Sequence, residues 1–160
     1  MNAIDVVLVL LVIVMVTIET KRGFGKVMFD FVALVISVRA VSLIAPKVAG
    51  AVHFAKDAPA NEAIWFGILF VVVGGILVYI GKLIYDSTLF TLDTFDPFLG
   101  GVLGFGVAIV IGHVIVRALA ISSGVNGAPP DMLAQSRLGI EFYDFTTYHK
   151  VIDFLSSLTT

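Results

Sequence analysis

Four long apolar stretches divide the chain, and polar, glycine-rich or proline-rich breaks separate them. Ala3 to Ile18 is interrupted only by Asp5 and Thr17. Val27 to Ala45 contains Asp30 and Arg39, Ala63 to Tyr85 contains Lys82, and Pro97 to Ile121 contains His113 and Arg117. A helix needs about 20 apolar residues, range about 17–25, to cross the hydrocarbon core of a bilayer. The pattern therefore predicts spans over residues 3–18, 27–45, 63–85 and 97–121. The first is short, and crosses only if it sits deep or the bilayer thins around it. No run alternates apolar and polar as a membrane barrel requires. The expected fold is all-α: a polytopic membrane protein with four transmembrane helices and a C-terminal amphipathic helical segment.

The breaks are legible as turns and caps. Lys21-Arg22-Gly23-Phe24-Gly25-Lys26 forms a tight basic turn. Pro46 ends the second span or lies just beyond it. His53 to Asn61 reads as a polar loop in which Asn61 caps the third span. Asp96-Pro97 reads as an N-cap followed by proline at the first helical position. Residues 122–130 form a linker (Ser-Ser-Gly-Val-Asn-Gly-Ala-Pro-Pro). Residues 131–160 form an aromatic-rich tail in which Tyr148, Val151, Ile152, Leu155 and Leu158 recur at helical spacing. That tail either lies on the membrane or folds back onto the bundle.

Composition sharpens the picture. Of 160 residues, 59% are hydrophobic and 14% charged, and mean hydropathy is +1.05. Soluble domains run near 45–50% apolar and about 25% charged. A net charge of −2 offers no basic field, so nucleic acid is not expected as a partner. There is no cysteine, which removes thiol catalysis and Cys-ligated metals. The N-terminus has no basic residue and no A-x-A cleavage pattern, so an uncleaved first span is expected rather than a signal peptide. Lys21, Arg22 and Lys26 place the first loop in the cytoplasm by the positive-inside rule, with the N-terminus and C-terminal tail on the non-cytoplasmic side.

Ionisable groups at membrane depth are the candidate chemistry. At about 1.5 Å per residue, Asp5 and Arg39 share a level on consecutive helices, and Asp30 and Lys82 share another near the inner edge. Asp30 and Arg39 are nine residues apart and face opposite ways. Two cross-helix ion pairs are therefore expected, Asp5–Arg39 and Asp30–Lys82. His113 and Arg117, spaced i, i+4, share a face. They read either as a proton-relay histidine beside a cation or as a hydrogen-bonded histidine near the outer interface.

Small residues form two stripes. Gly100, Gly104, Ala108 and Gly112 recur every four residues, and Gly67, Gly74 and Gly81 every seven. Such ridges let helix backbones approach closely in lipid, within the chain or between chains. There is no phosphate loop, no H-E-x-x-H and no Ser–His–Asp set. No enzyme, cofactor, metal or small-molecule substrate is identified. The bilayer is the one certain partner, with a second membrane protein or a second copy of the chain expected beside it.

Three features together resemble the colicin V production (CvpA) family of small bacterial inner-membrane proteins. They are Ile4-Asp5 opening the first span, Arg22-Gly23-Phe24 after it, and Asp96-Pro97-Phe98-Leu99-Gly100-Gly101-Val102-Leu103-Gly104-Phe105-Gly106. Phe145-Thr146-Thr147-Tyr148-His149 resembles the tails of some members. Pro97 stands where members commonly carry arginine; if that arginine has a role, this chain lacks it or uses Arg117 instead. The resemblance implies four spans in the bacterial inner membrane and a part in colicin V production, export and envelope homeostasis without catalysis. The rival expectations are a small channel or ion-coupled transporter subunit, and an accessory subunit of a larger membrane complex.

Overall fold

A computed structural model describes residues 2–88, 96–123 and 131–145, and all regular structure among them is helical. The elements are α1 (Ala3–Arg22), α2 (Phe24–Ala51), α3 (Ala58–Thr88), α4 (Asp96–Ser122), α5 (Asp131–Ala134) and α6 (Arg137–Asp144). The first four are long and apolar enough to cross a membrane. This is a multi-pass membrane protein. Its rim is rich in exposed apolar side chains such as Val71, Phe98, Val102 and Leu10, as lipid rather than water requires.

Each long helix outruns its apolar stretch. α1 has 20 residues and reaches about 30 Å, so it needs no local thinning. It continues through Glu19–Arg22 because those two side chains pair one turn apart. A single glycine, Gly23, separates α1 from α2. α2 does not stop at Pro46 but runs five residues further, to Ala51. Proline removes only its own N–H, and Ala45 and Ala49 on either side are buried, so the helix continues through it.

Asn61 does not cap α3 from outside. It lies in the first turn of α3, 1% exposed, and ties down the end of α2 instead. Its Nδ2 donates to the carbonyls of Ala49 (2.8 Å) and Val52 (3.0 Å). Its Oδ1 accepts from the amides of Phe54 (2.7 Å) and Ala55 (3.3 Å). All four bonds the amide can make are thus made. Trp65 Nε1 donates to the Val52 carbonyl as well, and its ring stacks on Phe54.

The order of packing departs from the order of sequence. α2 packs most extensively on α3, and α1 on α4, while α1 and α2 scarcely touch. α4 is the central helix, meeting α1, α2, α3 and α6. One apolar core joins Leu8, Val116, Ala120, Leu133 and Phe142; a second joins Val41, Ala45, Phe66 and Val114.

The small-residue stripe of α4 explains its centrality, and it works within the chain. A Cβ on Gly100 would lie 2.8 Å from the Glu19 carbonyl oxygen, and one on Gly104 would lie 3.2 Å from the Met15 carbonyl oxygen. Ala108 is fully buried, and Gly112 seats the Phe142 ring. On α3, Gly74 and Gly81 meet Ser37 and Phe29 of α2, but Gly67 faces open space, so that stripe is a contact over only part of its length.

Short α6 folds back against α1 and α4. Ser136 caps it, accepting from the Gly139 amide at 2.8 Å. Phe145 closes it in the left-handed conformation at φ 50°. Of the expected tail helix, Tyr148, Val151, Ile152, Leu155 and Leu158 lie outside the described residues, as does most of the linker.

Candidate functional site

The buried acidic residues of the bundle lie at its two ends. At one end lies the junction of α1 and α2. Arg22 Nη1 donates to both carboxylate oxygens of Glu19, at 3.1 and 3.0 Å, and Nη2 pairs with Asp30 Oδ2. The Glu19 and Asp30 side chains are 3% and 7% exposed, and Arg22 is 40% exposed. One guanidinium therefore bridges two buried carboxylates from the half-open side. Burying two acids in apolar surroundings is tolerable only with such a counter-charge.

The junction glycine allows this geometry. Gly23 has φ 81° and ψ 159°, a region reserved to glycine. A Cβ there would also overlap the Asp96 carboxylate, at 1.9 Å from Oδ2. Gly100 approaches equally closely: its Cβ would sit 3.2 Å from the Gly23 Cα. Arg22-Gly23 and Asp96…Gly100, 73 residues apart in the chain, are thereby packed into one place. Asp96 Oδ1 is buried there without a hydrogen-bond partner among the described residues.

Beside the cluster opens a cavity of about 260 Å³, lined by Arg22, Lys26, Asp30, Lys82 and Tyr85. The Lys26 ammonium lies 5.6 Å from the Tyr85 ring centre, which packs edge-on against Phe29. Lys82 faces the same cavity, but the ion pair of Asp30 is with Arg22, not with Lys82. Arg22, the last residue of α1, reaches Asp30 across the Gly23 turn, whereas Lys82 approaches from α3.

The opposite end is organised by Asp5. It is 6% exposed, and its Oδ1 accepts from Ser136 Oγ at 2.6 Å and from the Leu138 amide at 3.1 Å. Its Oδ2 accepts from the Asn2 amide at 2.9 Å. Asp5 thus serves the N-termini of both α1 and α6, where a carboxylate is favoured. Asn2 Nδ2 adds a bond to the Met132 carbonyl, at 2.8 Å. The expected Asp5–Arg39 pair is not formed. Arg39 is exposed on α2, and no ion pair involves it among the described residues. Sharing a level did not suffice, because α1 lies against α4 rather than α2.

His113 and Arg117 diverge despite their common face. His113 Nδ1 donates to the Phe142 carbonyl at 2.7 Å, and its ring stacks on Phe145 at 5.0 Å. Arg117 lies over the Phe66 ring of α3, at 6.0 Å, and its buried Nε has no partner among the described residues. The histidine is thus held as a fixed strut for α6. Arg117 also lies 21 residues along α4 from Asp96, about 30 Å away, too far to take the place of an arginine at position 97.

Three participants escaped the sequence reading: Glu19, Arg22 as the partner of Asp30, and Ser136. Glu19 and Arg22 stand at i, i+3, and Ser136 stands three residues before a glycine amide it accepts from, so both signals were present locally. Among the described residues no group of three or more metal-ligating side chains occurs.

The family described as Colicin V production protein matches residues 4–144. Searches of curated proteins and of solved structures each returned no match.

Proposed function

The chain belongs to the Colicin V production protein family, and from that premise we propose that it is a non-catalytic protein of the bacterial inner membrane that supports colicin V production or export and envelope maintenance. The observation that carries this reading is the match itself, spanning α1 to α6 and including both motifs that meet at Gly23. The engagement of Asp5, Glu19, Asp30 and His113 supports a scaffold over a conduit. Asp5 is held by α6, Glu19 and Asp30 by Arg22, and His113 by a backbone carbonyl. No chain of acids runs from one end to the other among these contacts.

The orientation follows from charge. Arg22, Lys26 and Lys82 converge at one end of the bundle, with Lys21 beside them, and the positive-inside rule assigns that end to the cytoplasm. Both α1 and α6 then begin on the non-cytoplasmic side. The wide apolar rim leaves room for a membrane-protein partner or a second copy.

The test is complementation in a colicin V-producing bacterium that lacks its own member of the family. Expression of this chain restores secreted toxin titre, and Arg22→Met at equal membrane level does not. Full membrane expression with no restoration overturns the reading. Ion flux in liposomes that Arg39→Leu abolishes would replace it with a channel.

A further inference from the structure

The geometry points to an anionic-phospholipid headgroup site in the cavity between the α1–α2 junction and the last turns of α3, with Lys26 and Lys82 as its phosphate-binding cations. This goes beyond the proposed role in export and does not depend on it.

Charge accounting around the cavity leads there. Glu19 and Asp30 are both satisfied by Arg22. Lys26 and Lys82 line the same cavity, are exposed, and have no carboxylate within 4.0 Å among the described residues. Among the side chains that line the cavity, three cations face one carboxylate, Asp30, and both ammonium groups in excess open onto it. Two mobile ammonium groups around a small space suit a phosphate, which takes point charges from several directions. Asp30, which lines the cavity, is paired with Arg22 and repels a phosphate less than a free carboxylate would.

Location selects a lipid as the source of that phosphate. The cavity lies at the end of helices whose outer surface is apolar, and Ile80, Leu83 and Ile84 on the same turns of α3 are 44%, 52% and 46% exposed. A lipid can leave its acyl chains on that surface while its headgroup enters the basic space. Basic pockets between transmembrane helices at the membrane edge take phospholipid headgroups in this way. A volume of about 260 Å³ corresponds to roughly nine waters of liquid. That is room for a phosphodiester and its first glycerol atoms, but not for a large soluble polyanion.

The experiment uses the full chain in nanodiscs of phosphatidylcholine with a small fraction of phosphatidylglycerol or cardiolipin, and reads retained lipid by native mass spectrometry. The anionic lipid is retained in preference to phosphatidylcholine. Lys26→Gln/Lys82→Gln lowers that preference about thirtyfold, the effect of two basic residues at a membrane surface. Lys82→Gln alone, which leaves the Lys26–Tyr85 contact in place, lowers it about fivefold. The comparison is Lys47→Gln/Lys56→Gln, which removes equal charge from the other end of α2 and its loop and leaves the preference unchanged. Equal effects of the two double variants overturn the site. Loss of the preference in millimolar inorganic phosphate overturns the lipid assignment, since a free anion would then be the occupant.

Discussion

Replacing Arg22 with methionine tests the charged junction most directly. The substitution keeps an unbranched apolar stem and removes the charge and the donors. Glu19 and Asp30, 3% and 7% exposed, are then left buried without a counter-charge. Breaking a buried pair by removing one partner costs about 3–5 kcal/mol. Arg22 is itself 40% exposed, so water already screens part of the interaction, and the low end, about 3 kcal/mol, is the expected loss. Lys82 lines the same cavity and can swing toward Asp30. The single variant is therefore milder than Arg22→Met/Lys82→Met. The measurement is equilibrium unfolding of purified protein in mixed micelles of a mild detergent and SDS. The decisive control is Glu19→Met/Arg22→Met/Asp30→Leu, which removes both acids with the base. Apolar replacement of a whole buried ionic cluster is commonly neutral or stabilising, so the triple variant recovers most of the lost stability. Arg22→Met within about 0.5 kcal/mol of the parent, or a triple variant as unstable as the single one, would refute the reasoning.

The remaining expectations concern the devices that hold the helices together. Gly23→Ala combines a forbidden backbone conformation with overlap onto Asp96, so it costs about 3 kcal/mol or more in the same unfolding assay; a change under about 1 kcal/mol would contradict the turn. Gly104→Ala forces a methyl against Glu19 Cβ and the α1 backbone and costs about 1–3 kcal/mol, whereas Gly67→Ala, facing open space, costs nothing. Reversal of that order would mean the α4 ridge serves a contact between chains. Asn61→Leu removes four hydrogen bonds at the α2–α3 loop and loses about 3 kcal/mol, with increased proteolysis between residues 52 and 57 as a second readout. Because the chain has no cysteine, a lone cysteine at Leu138 reports on α6 by its rate of thiol labelling. Asp5→Ala and Ser136→Ala both raise that rate, and an unchanged rate would show that α6 is held without them.

Hydropathy made the four helices legible because each span must satisfy all its backbone groups internally, a demand that leaves a long apolar run in the sequence. The α4 ridge was legible for a similar reason, since small residues every four positions have one geometric consequence. Pairing was not legible. Depth along a helix can be counted, but which helix stands beside it cannot, and the expectation for Asp5 and Arg39 assumed that neighbours in sequence are neighbours in space. Glu19 was hidden in another way. In Glu19-Thr20-Lys21-Arg22 it reads as part of a solvated turn, and only the close approach of Gly104 buries it. Asn61 and Pro46 show the same limit at the level of caps. A cap residue beside a proline-containing loop looks like the start of the next helix, whereas here it serves the end of the previous one.

The meeting of the two family motifs has a physical logic that neither has alone. A ridge of small residues can hold α1 on α4 at backbone distance only if α1 ends without a side chain in the way, and Gly23 provides that end. The same absence of a Cβ admits the Asp96 carboxylate to the turn. Arg22, one residue earlier, is then directed toward Glu19 and Asp30, so a single turn both seats the ridge and brings a shared counter-charge to the acids that the packing buries. Pro97, directly after the aspartate, has no donor to offer, and Asp96 Oδ1 has no partner among the described residues. Arg117 stands at the wrong end of α4 to supply one. The cations near this turn are instead Arg22, Lys26 and Lys82, contributed by α1, α2 and α3. Positive charge at this membrane edge is thus distributed over three helices, and an anion drawn to it would add a tie between α1 and α2, which scarcely touch each other directly.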